Sequence, residues 1–140
     1  TPLAAITPEQ IARVQADFAQ IAGHADLLAK KFYEKLFERE PRLRPLFSED
    51  MTEQRAKLVQ TLGVAIDALD HIEDLVVALE ALGRRHEGYG AQPAHYAVVG
   101  EVLLETLERA LGNRWTESSA AAWSAVYGAL AQTMIAAAEN

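Results

Sequence analysis

Residues 75–86 read Leu75-Val76-Val77-Ala78-Leu79-Glu80-Ala81-Leu82-Gly83-Arg84-Arg85-His86. Leu75, Leu79, Leu82 and His86 recur at i, i+4, i+7 and i+11, the spacing of one face of an α-helix. Three leucines make that face apolar and turn it toward a core, and a histidine extends it. Gly88 and Gly90 close the segment. Two readings of His86 stay open on the residues alone. One is a core imidazole satisfied by a hydrogen bond, the commoner fate of a histidine on an apolar face. The other is a metal ligand, for which a neutral imidazole with its second nitrogen hydrogen-bonded is a suitable donor.

The same period extends in both directions. Toward the N-terminus, Thr7-Pro8-Glu9-Gln10 predicts a helix start: Thr7 caps, Pro8 suits the first helical position and Gln10 completes a capping box. Ile11, Val14, Phe18 and Ile21 follow on one face until Gly23. A second helix is predicted from about Asp26, with Leu28, Phe32, Leu36 and Phe37 inward. It ends before Pro41, because a residue preceding proline avoids helical geometry. Pro41 to Phe47 leaves room for a short helix only, and Ser48 to Thr52 is a polar connection. From about Glu53 another helix carries Leu58, Leu62, Ala65, Ile66 and Leu69. Toward the C-terminus, Pro93 opens a long helix that ends at Gly112-Asn113, and Thr116 opens the last one. Asn-Gly and Asp-Gly turns and sustained period-two alternation are absent. The expectation is one all-α domain over residues 1–140.

Composition narrows the function. The net charge of −7 disfavours nucleic acid and anionic membranes as partners, and no basic run is longer than a pair such as Arg84-Arg85. With no cysteine in 140 residues, disulfides, thiolate ligands and cysteine nucleophiles are excluded. That composition fits a cytoplasmic protein. No apolar run is long enough for a membrane span, and the start lacks the pattern of a signal peptide. The HExxH and GxSxG patterns are absent, as is a Gly-rich phosphate loop after a strand. The carboxylates are scattered, and a solvated surface role is their ordinary one. Of the other histidines, His24 reads as a turn or capping residue, His71 as exposed, and His95 as a surface or locally bonded residue. Tyr33 stands out among the aromatics, because a phenol hydroxyl needs a partner when buried.

Six fragments then carry a resemblance. They are Phe32-Tyr33-x-x-Leu36-Phe37; Pro41 with Phe47; Gln54-x-x-Lys57-Leu58; Leu82-Gly83-Arg84-Arg85-His86; His95-Tyr96-x-x-Val99-Gly100; and Ala122-Trp123-x-x-x-Tyr127-Gly128. In this order and spacing, over nearly the whole chain, they resemble globins of the flavohaemoglobin-related bacterial type, in particular the stand-alone single-domain bacterial haemoglobins. The resemblance implies a three-over-three helical sandwich around a non-covalent b-type haem. It implies His86 as the proximal iron ligand, leaving the iron five-coordinate. Phe47 would pack on the haem face, and Tyr33 with Gln54 would be the distal pair that donates hydrogen bonds to bound dioxygen. Leu58 would lie over the iron and Tyr96 behind the proximal histidine. Leu82 and Val99 would form wall, completed by Tyr127 and Trp123. Lys57 and Arg85 would partner the propionates.

The resemblance implies reversible, high-affinity dioxygen binding for storage, delivery or scavenging. Its alternative is nitric oxide dioxygenation with an external reductase, since the sequence ends at Asn140 without the flavin- and NADH-binding reductase of flavohaemoglobins. Carbon monoxide and sulfide are further ligands such a pocket admits, a haem-based sensor is a third role, and a homodimer stays open. Flavohaemoglobins also place a glutamate near the proximal histidine from the last helix. The matching positions here are Ala137 or Ala138, with Glu139 just after, so its counterpart is in doubt.

Overall fold

The computed structural model describes residues 5–88 and 93–139, with the side chain of Glu139 outside that description. Thr7 caps helix α1, Pro8–Ile21, by the expected reciprocal bonds: its hydroxyl accepts the Gln10 N–H at 3.1 Å, and the Gln10 side chain accepts the Thr7 N–H at 3.1 Å. Such a cap contributes about 1 kcal/mol. At Gly23 the chain does not open into a loop but tightens into a 3₁₀ turn, Ala22–His24, and resumes as α2, Ala25–Arg39. His24 occupies the N-cap position of α2 without a side-chain cap bond. Glu40, held extended before Pro41, ends α2, and Pro41–Leu46 forms the short 3₁₀ helix.

Helix α3 spans Thr52–Asp67 and leads through a 3₁₀ turn, Ala68–Asp70, into α4, Ile72–Gly88. The expected closing glycine Gly90 lies outside the described residues. Helix α5 runs Pro93–Leu111 and stops where Gly112 takes a φ of 55°, a left-handed conformation that suits glycine. The last helix, α6, is Glu117–Glu139. The Thr116 hydroxyl accepts the Ser119 N–H at 3.1 Å and so caps it. Among the described residues there is no strand.

Helices α1, α5 and α6 pack over α2, α3 and α4, with α6 lying along α1, α4 and α5, and α2 crossing α3 and α5. One core runs between the layers. It includes Val14, Phe32, Leu36, Leu69, Leu79, Val102, Leu107 and Val126. Two glycines set how closely the layers approach. A Cβ on Gly83 would run into the Met134 backbone, so α4 rests directly on the main chain of α6. A Cβ on Gly100 would come within 2.6 Å of the Tyr127 ring, so α5 takes that ring close against its backbone.

One carboxylate departs from the expected surface role. Asp17 is 3% exposed and accepts the Trp123 indole N–H at 3.1 Å, tying α1 to α6. Trp123 is therefore an interhelical core residue, and its polar atom serves that joint rather than a pocket wall. A signal for Asp17 was present in the sequence. Val14, Asp17 and Ile21 share one face at i, i+3 and i+7, and all three are buried.

Candidate functional site

Helix α2 presents Phe32, Tyr33 and Phe37 in consecutive turns, and the 3₁₀ turn delivers Phe47 beside them. The Tyr33 ring meets Phe32 edge-on at 5.0 Å, stacks with Phe37 at 5.8 Å and meets Phe47 edge-on at 5.7 Å between centroids. Such pairs contribute about 0.5–1.5 kcal/mol each beyond their buried area. Three rings thus fix where the phenol points. Gln54, on the first turn of α3, donates its side-chain N–H to the Tyr33 oxygen at 3.0 Å. With its oxygen accepting from Gln54, Tyr33 keeps its own O–H proton as a donor. Burial pushes the phenol above its ordinary range, and the Gln54 bond opposes that only in part. Tyr33 is therefore a neutral donor at physiological pH.

A second group gathers on α4, α5 and α6. His86 lies on the last two turns of α4, and its Nδ1 bonds the Leu82 carbonyl at 2.9 Å. A carbonyl only accepts, so Nδ1 carries a proton; in a neutral ring that places the lone pair on Nε2, the arrangement of an imidazole metal donor. The Tyr96 ring is 6.4 Å from the His86 ring, centroid to centroid. Tyr127 donates its hydroxyl to the Tyr96 carbonyl at 2.7 Å, pinning the first turn of α5. Burial, with a smaller contribution from Tyr96, pushes the Tyr127 phenol far above its usual range. Gly100 provides the space that lets the Tyr127 ring reach that carbonyl.

Phe47, Leu58, Leu82, Tyr96 and Val99 are each packed against the core yet only partly buried. Each therefore keeps apolar surface that a flat apolar group could cover. This donor chemistry fits haem: one imidazole with a fixed tautomer, an apolar wall and one polar pair. Lys57 and Arg85 are exposed on α3 and α4. Glu139 lies outside the described side chains, while Ala137 is buried and Ala138 partly so.

Sequence reasoning missed Arg44. This half-buried residue donates to the carbonyls of Phe47, Ser48 and Glu49 at 3.3, 2.9 and 3.2 Å, and its guanidinium lies over the Phe37 ring at 5.2 Å. A cation three residues before Phe47, inside a proline-bounded turn, was the signal available.

Comparisons place this geometry. The globin family model matches residues 30–134. A flavohemoprotein of Bordetella pertussis is 33% identical over 134 residues, covering 93% of this chain and 33% of the relative. The chain thus spans about a third of the length of the curated relatives it matches. Among solved structures, a bacterial globin from Campylobacter jejuni superposes with a TM-score of 0.83 at 23% identity, covering 95% of this chain and 96% of that one. A flavohemoglobin from Malassezia yamatoensis superposes with a TM-score of 0.80 at 21% identity, covering 96% of this chain and 37% of that one. The chain belongs to the globin family, and its cofactor is haem.

Proposed function

We propose that residues 1–140 form one globin domain that binds dioxygen reversibly and with high affinity, for storage, delivery or scavenging. Haem supplies the iron that takes diatomic gases. His86 holds it through Nε2, oriented by the Nδ1 bond to Leu82. Phe47 and Leu58 would pack against the group, Leu82, Tyr96 and Val99 would line it, and Lys57 with Arg85 would partner its carboxylates. Tyr127 acts behind Tyr96. The cysteine-free composition fits a cytoplasmic setting. No helix among the described residues is long and apolar enough to cross a membrane.

The observation that carries this reading is the 3.0 Å bond from Gln54 to the buried Tyr33 oxygen. It leaves the phenol proton for the gas ligand, and an accepted hydrogen bond polarises that O–H further. A hydrogen bond to a ligand that gains negative charge is worth about 1.5–3 kcal/mol, or roughly 10- to 150-fold in dissociation constant. Stopped-flow displacement of dioxygen from the haem-loaded protein tests it. Tyr33→Phe is expected to release dioxygen faster by a factor in that range, and an unchanged off-rate would remove Tyr33 from the distal role.

A second reading is nitric oxide dioxygenation with an external reductase. It is favoured by relatives that are flavohemoproteins. Sustained turnover of nitric oxide with NADH and a flavin reductase would establish the enzymatic reading over the binding one.

A further inference from the structure

Arg44 touches neither member of the Tyr33–Gln54 pair, yet it holds both routes that lead to them. The first route is backbone. Phe47 to Glu49 is an irregular corner with Phe47 extended, so its carbonyls have no helical partners. The Arg44 guanidinium gathers three consecutive carbonyls, at Phe47, Ser48 and Glu49. The corner then continues without a break. Ser48 donates its hydroxyl to the Asp50 carbonyl at 2.7 Å, and the Asp50 carboxylate accepts the Thr52 N–H at 3.0 Å. Thr52 begins α3, and Gln54 is its third residue.

The second route is aromatic. The guanidinium covers the Phe37 ring, and Phe37 and Phe47 lie 5.4 Å apart with both rings against Tyr33. Among the described residues Arg44 enters no ion pair. Its described partners are carbonyls and a ring, all in this corner. A planar fork with several fixed donors suits them, and the ammonium of lysine does not reproduce it.

We propose that Arg44 is a positioning residue for the distal pair: it fixes the corner that carries Gln54 and the ring that stacks on Tyr33. Without Arg44 the three carbonyls turn to water at little net cost, since hydration replaces the bonds lost. The corner then samples several conformations, and Gln54 engages Tyr33 only part of the time. The inference rests on the reading of Tyr33 as the distal donor.

The test uses full-length haem-loaded protein with carbon monoxide as infrared probe. It compares the natural chain with Arg44→Ala, Arg44→Lys and Tyr33→Phe. Hydrogen exchange of the amides of residues 47–54 and the dioxygen off-rate are measured alongside. The natural chain is expected to give one narrow C–O band. Arg44→Ala should give two, the second shifted toward the frequency of Tyr33→Phe, with faster exchange at the corner and an off-rate raised about 3- to 10-fold, below the effect of removing the hydroxyl itself. Arg44→Lys should fall between, and carries the comparison alone if Arg44→Ala does not fold. Faster corner exchange with a single unshifted band and an unchanged off-rate would reduce Arg44 to a local loop residue and overturn the proposal. If Tyr33→Phe leaves band and off-rate unchanged, the distal reading fails first and the positioning role falls with it.

Discussion

The two sides of the candidate site are built by different means. The His86 side is local: the ring's orienting bond goes to the carbonyl four residues earlier on the same helix. Any α-helix offers a carbonyl there, so this bond needs only that α4 form. The Tyr33 side is assembled. Its donor is on α2, its polariser is on α3 and two of its rings flank the turn between them, so it exists only when three elements meet. On the proposed reading, the metal donor lies on the side built within one helix and the ligand chemistry on the assembled one. The difference predicts that damage to the first side abolishes cofactor retention, whereas damage to the second alters rates.

The most severe break is at the donor itself. His86→Gly removes the imidazole while leaving the α4 turn able to form, and is expected to lose haem on desalting, seen as loss of the Soret band. Adding free imidazole should restore the spectrum, because the cavity then takes the missing ring. Retention of a stable histidine-type spectrum in the variant without imidazole would refute the assignment of His86.

Next in size is the platform under that helix. At Gly83 a methyl group would meet the Met134 main chain, which no rotamer change can move aside. Overpacking of this sort costs about 1–3 kcal/mol. Gly83→Ala should therefore lower the denaturant midpoint and speed haem loss together, while the dioxygen off-rate of the protein that retains haem stays near that of the natural chain. A selective change in off-rate instead would mean that the two sides are less separable than argued.

How much of this could be read from residues follows the same division. The α4 stripe, the Thr7 capping box, the stop before Pro41 and the span Pro93–Leu111 were legible because each depends on neighbours within one or two turns. The pairing of Tyr33 with Gln54 was not visible to periodicity. It bridges 21 positions and entered only through the family resemblance. Asp17 lay on a legible face but contradicted it: Arg13, one turn earlier, comes within 3.9 Å of its carboxylate, but the partner that ties it to α6, Trp123, is 106 positions away. The weight of Arg44 was missed for a related reason. Its bonds are short in sequence, but their importance comes from where the Phe37 and Phe47 rings lead.

A smaller effect is expected at Tyr127, on the His86 side but one step removed. Tyr127→Phe keeps the ring against Gly100 and removes only the bond to the Tyr96 carbonyl. That carbonyl lies in the first turn of a helix and can still accept from the backbone, so the loss should be about 1 kcal/mol. Thermal unfolding should show a modest drop in midpoint, with the Soret maximum unmoved. A shifted Soret band would show that the first turn of α5 governs the iron environment more directly.

The smallest effect belongs to the assembled side and is one of pH. Asp50 accepts the Thr52 N–H just ahead of α3, and that backbone bond, with a further side-chain bond to Thr52, holds its carboxyl below the usual range. A carboxylate whose folded pKa is depressed contributes stability that is complete above its unfolded value, about 3.9. That contribution is lost as the pH falls through the folded one. Asp50→Asn keeps an acceptor but no charge, so it should match the natural chain at pH 2–3 and fall slightly short of it at pH 6. Hydrogen exchange at the α3 N-terminus reads this directly, since the carboxylate protects the first turn without contributing to the core. If the Asn variant differs equally at both pH values, the charge of Asp50 is not what steadies the corner, and the Arg44 clamp upstream is left as its principal restraint.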